Sequence, residues 1–300
     1  MTGKDQFETI GDSLLVRAPA KINLSLLIAG KRPDGFHEIN SIMAKINWYD
    51  EILIEQGKKA GIELVCNGQQ WAPEAEANLV YKAAQILLES SGKKADVKIT
   101  LTKNIPAGSG LGSASSDAAA ALLGLNKYWD LRLADSELAE LAAALGSDVT
   151  FFLGGPLAHC RGKGEKIEKL NENFDFIALL ILPDVSVPTE KVYANYLHNP
   201  ALHGKLNAAI CELMDKNRID LAAKMCANML EASCFELNKE LAELKAEIES
   251  LGLAPLCLSG SGSAMFHIVD NGDVSKAEEY KSELDKNVAC KSVIVSNNRW

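Results

Sequence analysis

Residues 96–126 read DVKITLTKNIPAGSGLGSASSDAAAALLGLN, and the fold turns on how this stretch is understood. Polar and apolar residues alternate with period two up to Lys103, so the first part reads as a half-buried strand that ends at Pro106. Small residues and glycines follow, and then an alanine-rich run that forms a strong helix. A strand that enters a helix through Pro106-Ala107-Gly108-Ser109-Gly110-Leu111-Gly112-Ser113-Ala114-Ser115-Ser116 makes an anion site. Glycines let backbone N–H groups approach an oxygen closely, and the helix N-terminus adds partial positive charge. Ser115 and Ser116 either cap the helix or donate hydroxyls to a phosphate or a magnesium ion. No Lys-Ser/Thr pair follows the glycines, so this is not a Walker loop, and Ser113 stands where the dinucleotide fingerprint needs its third glycine. A tight strand-to-helix turn with no ligand is the plainer alternative.

Upstream, SLLVRAPAKINLSLLIAG (13–30) reads as strands interrupted by Pro19, with further strands at 51–56 and 61–66. A helix follows Asn78, with Leu79, Ala83, Ile86 and Leu87 on one face. Downstream, a helix starts near Asp135 as its N-cap and stops at Gly146, and FFLGGPLAHCRG (151–162) returns to strand. Past residue 166 the character changes. A strand, FIALLILP, is followed by helices near 190–197, 205–215 and 219–230. Phe235 to Leu251 then reads as one amphipathic helix ended by Gly252. Two short strands around a glycine-serine turn, a helix and a last strand at 287–296 close the chain. This mixed order predicts an α+β protein of two domains, 1–165 and 166–300.

The chain has 300 residues, 47% hydrophobic and 24% charged, which suits a globular protein and argues against disorder. Its net charge of −9 opposes general binding to nucleic acid or docking on anionic membranes. A phosphate-ester substrate would therefore have to be held by local donors. Seven scattered cysteines form no C-x-x-C pair, so they read as small buried hydrophobes in a reducing compartment, and no metal site is expected from them. The polar N-terminal segment and a longest apolar run of only Phe176 to Leu182 point to a soluble, cytoplasmic protein. A monomer and a homodimer are both compatible with the sequence.

Several residues stand out for their chemistry. Asp148 lies just past a helix end and before the apolar run Val149 to Leu153. A partly desolvated carboxylate there suits a general base or a magnesium neighbour, and a surface turn is the alternative. Lys21 is an isolated cation in the otherwise apolar APAKINL. It is either a snorkelling edge residue or a partner that keeps Asp148 ionised. Asp34-Gly35-Phe36-His37 is a turn that presents a ring and an imidazole together, as a planar heterocycle requires, or else a hairpin with a packed Phe. Tyr193 is a candidate for the opposite face. Leu258-Ser259-Gly260-Ser261-Gly262-Ser263-Ala264 is a second glycine-rich turn, by itself compatible with a simple hairpin. The remaining histidines, at 159, 198, 203 and 267, show no metal-like spacing.

Taken together, APAKINLSL, DGFHEI, NLVYKAA, the 104–126 loop and helix, LGSDVTFFLGG, RGKGEKI, VSVPTEKVY and the late S-G-S-G-S turn resemble the GHMP kinase superfamily, in the family's order from residue 18 to about 266. Within it they look most like the branch that phosphorylates a CDP-alcohol. The resemblance implies an S5-like nucleotide domain and a ferredoxin-like second domain. It also implies transfer of the γ-phosphate of ATP, with Mg2+, to the 2-hydroxyl of the methylerythritol part of that alcohol. By the same resemblance Asp148 matches the catalytic base and Lys21 its partner. Pro106 to Ser116 match the phosphate loop, and Asn78 the adenine side. Asn23, Phe36, His37, Thr189 and Tyr193 match the cytidine and substrate pocket, with Phe36 and Tyr193 as its stacking pair and Gly260 and Gly262 on the substrate side. Ser113 and Ala114 replace two glycines of the usual loop, Thr150 a common proline, and Phe36 a common tyrosine. Two other readings stay open: a superfamily kinase for mevalonate, homoserine or a sugar, and a non-catalytic sensor. Keeping both Lys21 and Asp148 speaks against the sensor.

Overall fold

In the computed structural model, which describes residues 4–93, 96–170 and 174–300, the chain builds two sheets. The first three residues of the polar N-terminal segment lie outside the described residues. The first sheet is made by β1 (Phe7–Ile10), β2 (Ser13–Lys31), β3 (His37–Gln56), β4 (Ile62–Gly68), and, after helix α1 (Leu79–Ser91), β5 (Val97–Lys103). Their order is β1-β2-β3-β5-β4. Then come α2 (Ser113–Tyr128), α3 (Asp135–Leu145) and the short α4 (Val149–Leu153), followed by β6 (Leu157–Gly162) and β7 (Lys166–Lys169), which pair with each other.

β3 has two neighbours along one edge. Its last residues, 51–56, pair with β5, and residues 39–44 pair with β6. Residues 45–50 are left between them, and their side chains turn to other uses: Lys45 donates to the carbonyls of Phe152 and Gly154 at the end of α4, and Asp50 accepts from the chain after β5. β5 buries alternate residues as its period-two pattern requires. α2 lies over β2 and β3 with most of its alanines buried. At Gly124 an added Cβ would stand 2.7 Å from the side chains of Ile54 and Val16, so the helix rests directly on the sheet.

The second sheet has the order β11-β8-β10-β9, all antiparallel. Its strands are β8 (Ile177–Leu182), β9 (Cys257–Leu258), β10 (Met265–Val269) and β11 (Lys291–Ser296). Helices α5 (Thr189–Ala194), α6 (Pro200–Asp215), α7 (Ile219–Lys224), α8 (Glu231–Leu237) and α9 (Lys239–Ser250) lie between β8 and β9, and α10 (Val274–Asn287) precedes β11. Helical material after the first strand and a helix after the third, in this strand order, is the split βαβ arrangement of ferredoxin-like folds. After β11 the tail returns to the first sheet: the Asn298 N–H donates to Lys45 O at 2.8 Å, and the Trp300 ring stacks on Tyr49.

Five sequence expectations are corrected. Pro19 does not split β2; a register shift after it absorbs its missing N–H, and the strand runs on. The 235–251 segment is two helices, because the chain breaks at Asn238. Phe151 and Phe152 are helical, in α4. Asp135 is the first helical residue rather than the cap, and Glu137 accepts the Ala134 N–H at 2.8 Å. Among the cysteines, Cys226 and Cys257 are joined in a disulfide, while the other five are free. In addition, β7 lies past residue 165 yet pairs with β6, so the first sheet extends to Lys169.

Candidate active site

Between the two sheets opens a cavity of about 720 Å³. Its floor is the loop that joins β5 to α2. Gly108, Gly110 and Gly112 all have left-handed backbones, with φ of 68°, 78° and 70°. At Gly110 a Cβ would lie 2.1 Å from Ser259 O, so only glycine lets the loop pass under the second glycine-rich turn. The N–H groups of Gly110, Gly112, Ser113, Ala114 and Ser115 donate to nothing in the protein among the described residues. Such a row of unpaired donors at the N-terminus of a 16-residue helix is an anion cradle. A nucleotide phosphate therefore fits.

Lys21 reaches this cradle from the middle of β2. Because β2 lies between β1 and β3 and is covered by helices, Lys21 is only 4% exposed, which removes the snorkelling alternative. Its Nζ donates to Asn23 Oδ1 and stands 4.0 Å from Asp148 Oδ2. Burial lowers the lysine's pKa, and the Asp148 charge opposes that shift. Asp148 precedes α4 and keeps a third of its side chain exposed to the cavity. The Phe152 ring packs beside Gly112 and the Lys21 stem and fixes this corner.

The far wall is aromatic. Tyr193 on α5 faces His37 at 5.2 Å between ring centroids, and Tyr196 meets His37 edge-on. Phe36 is half exposed, with the Lys163 ammonium 5.0 Å above its ring. The ring opposite Tyr193 is thus His37, where Phe36 was expected. Burial, helped by Lys31 and His198, lowers the His37 pKa, which favours a neutral imidazole. Thr189 bonds Ser261 across the cavity at 2.9 Å, and Gly260 lines it too.

Of the residues singled out from sequence, four do not line the cavity. Asn78 is the N-cap of α1, with its amide on Pro73 O. Leu111 is core, and its carbonyl accepts the Lys21 N–H. Ser116 is fully buried, and Gly262 packs against Cys234. Conversely, Lys31, Lys163, Ser147 and Tyr196 line it without having been singled out. Lys163 lies in the RGKGEKI segment, whose glycines were the available signal.

The GHMP kinases N terminal domain matches residues 78–156, and the GHMP kinases C terminal domain residues 207–284. The chain is a GHMP kinase. This GHMP kinase is 38% identical over 256 residues to a 4-diphosphocytidyl-2-C-methyl-D-erythritol kinase of Bacillus cereus, covering 85% of this chain and 88% of the relative. It is 39% identical, over the same shares, to the enzyme of that name from Bacillus cytotoxicus. A crystal structure of 4-(cytidine 5'-diphospho)-2C-methyl-D-erythritol kinase superposes with a TM-score of 0.74 at 30% identity, covering 95% of this chain and all of that one. A homoserine kinase from Cytophaga hutchinsonii gives a TM-score of 0.75 at 20% identity, over 99% of this chain and 98% of its own, and shares the fold alone. The GHMP kinase is thus a small-molecule kinase of the 4-diphosphocytidyl-2-C-methyl-D-erythritol kinase family. It has the two-domain α+β architecture of such enzymes: a nucleotide-binding domain and a ferredoxin-like second domain. No helix among the described residues is long and apolar enough to cross a membrane.

Proposed function

We propose that this kinase transfers the γ-phosphate of ATP to the 2-hydroxyl of 4-diphosphocytidyl-2-C-methyl-D-erythritol, giving the 2-phosphate and ADP in the non-mevalonate route to isoprenoid precursors. The observation that carries this reading is the buried Lys21 ammonium 4.0 Å from Asp148, at the edge of an unpaired N–H cradle and opposite a wall of His37 and Tyr193. One end of the cavity suits phosphate and the other a planar base. A kinase for mevalonate or homoserine has no use for the second.

In this reading Asp148 takes the proton of the acceptor hydroxyl as that oxygen bonds to the terminal phosphorus and the bond to the bridging oxygen of ADP breaks. Lys21 keeps the carboxylate ionised, and Asn23 orients the lysine; the loop N–H groups balance the charge on the phosphates. Phe36, His37 and Tyr193 hold the cytosine, with Thr189 and Gly260 beside the substrate. Asn78 shapes the adenine side from behind rather than by lining the cavity. Magnesium, when bound, neutralises phosphate oxygens. Among the hydroxyls and carboxylates that line the cavity, Ser115 beside the cradle and Asp148 would hold it, and with phosphates and waters they fit a hard cation that needs few protein ligands.

The test is an ADP-release assay with ATP and magnesium, run in parallel on the CDP-alcohol, mevalonate and homoserine. Turnover restricted to the CDP-alcohol is expected. Turnover with another alcohol instead would discard the cytosine wall, and none with any would return the chain to a sensor.

A further inference from the structure

Behind the phosphate loop lies a charged cluster, of which only Ser113 also lines the cavity. Lys103, the last residue of β5, donates to the carboxylate of Asp50 on β3, to the Ser113 hydroxyl and, at 2.6 Å, to Asp117. All four are buried, none more than 5% exposed. Four polar side chains in the core are costly unless they bind one another this closely, so their placement calls for a reason.

That reason is visible in what Asp50 holds. Its Oδ1 accepts the backbone N–H groups of Asn104 at 2.5 Å and Ile105 at 2.9 Å, where the chain leaves β5 for the loop. Its Oδ2 accepts the Ser113 hydroxyl at 3.1 Å, where the loop becomes α2. One carboxylate therefore binds both ends of the segment 104–113, and Lys103 braces carboxylate and hydroxyl together. The seven residues between, 106–112, include the three left-handed glycines, the part of the loop with most conformations open to it. A loop whose ends are fixed keeps its N–H groups converged before an anion arrives; a free one must be ordered on binding. The Ser113 hydroxyl is turned inward to this cluster while its N–H stays with the cradle. Burial and the Asp50 charge push the Asp117 pKa up, against the pull of Lys103, which donates to it at 2.6 Å.

We propose that the side chains of Asp50, Lys103 and Ser113 are positioning groups that set the nucleotide affinity of the phosphate loop without themselves touching the nucleotide. This rests on the phosphate-binding reading of the loop given above. It also accounts for serine at 113, where the family loop usually has glycine: the hydroxyl adds a tie that glycine lacks.

Three variants test it: Ser113→Ala, which deletes the tie but keeps the N–H; Asp50→Asn, which keeps the shape and leaves Lys103 paired with Asp117; and the double variant. Ser113→Thr, which keeps the hydroxyl, serves as the rescue. Calorimetric titration with magnesium-ATP, the KM for each substrate and the melting temperature are measured on each. Each single variant should weaken ATP binding roughly three- to tenfold, the equivalent of one buried hydrogen bond, and leave the KM for the alcohol within about twofold. The double variant should be no worse than the weaker-binding single, since both break one tie. Ser113→Thr, with the hydroxyl kept, should bind magnesium-ATP more tightly than Ser113→Ala. If Ser113→Ala weakens ATP and Asp50→Asn does not, the hydroxyl contacts the nucleotide directly and the proposal fails. It fails also if the effects add, or if melting temperatures fall while ATP affinity holds. An unaltered protein that does not bind ATP would overturn the phosphate-loop reading itself, a result distinct from all of these.

Discussion

The glycine-rich turns at 106–112 and 258–263 are both rich in small residues and use their backbone donors differently. In the first, the N–H groups of Gly110 and Gly112 have no protein partner among the described residues, at the mouth of α2. In the second, two donors close the turn on itself, Ser259 N–H on Ala264 O at 2.9 Å and Gly262 N–H on Ser259 O at 3.0 Å. Asn228 further holds the carbonyls of Leu258 and Gly260. The two turns then lock together, Ser259 Oγ on Gly110 O and Ala264 N–H on Ser109 O. Glycine and serine supply the freedom to turn, but the element that the turn leads into decides whether its donors face a ligand. A long helix cannot use its first N–H groups. A hairpin between antiparallel strands pairs the donors that close it, here those of Ser259 and Gly262.

If the first turn carries the phosphates and the second braces it, removing the carboxylate beside the first should spare binding and abolish chemistry. Asp148→Asn should lower kcat by about two orders of magnitude or more with the KM for ATP little changed, as steady-state kinetics will show. Gly110→Ala and Gly260→Ala compare the turns directly. The first forces a Cβ to 2.1 Å from Ser259 O, and the second meets its nearest neighbour, Gly110 O, at 3.2 Å. Gly110→Ala should raise the KM for ATP roughly tenfold or more. Gly260→Ala should raise it only about two- to threefold, being strained at its φ but not blocked. Equal effects would erase the distinction.

Phe36→Ala lies beyond both turns. It should raise the KM for the CDP-alcohol by about tenfold and leave that for ATP alone, the loss of one aromatic contact. The smallest effect is expected behind the site, at Lys45, where burial lowers the pKa to about 7 from an ordinary 10.5. Because the unfolded chain binds this proton more tightly, the contribution to stability is fully present above 10.5 and is lost as pH falls to about 7. Thermal melts should therefore show stability gained between pH 7 and 9 in the unaltered protein and a flatter profile in Lys45→Met. Parallel profiles would place the amine elsewhere.

The features legible in the sequence were local. The period-two strand at 97–103, the loop and α2 arise from residue types over short spans, and so does the helix after Asn78. The order β11-β8-β10-β9 does not, because β8 pairs with β10 across 84 to 92 positions and with β11 across 109 to 119. Pro19 misled because a register shift within a long strand leaves no mark in composition. Lys21 stands out as an isolated cation in an apolar run, whereas Lys103 shares β5 with Lys98 and two threonines and does not. Its partners, Asp50 and Asp117, come from distant segments, and only the fold shows a cation enclosed rather than exposed.

The claim that matters most is that Asp148 and the phosphate loop act on one particular hydroxyl of a cytidine diphosphate alcohol. Phosphorus NMR of the product formed from ATP and 4-diphosphocytidyl-2-C-methyl-D-erythritol tests it most directly. The 2-carbon bears a methyl group and no hydrogen, so the new phosphomonoester should appear as a singlet beside an unchanged diphosphate, and should be missing with Asp148→Asn. A resonance split by protons on its carbon, marking transfer to a primary or secondary hydroxyl, or a product of equal yield from the variant, would contradict it.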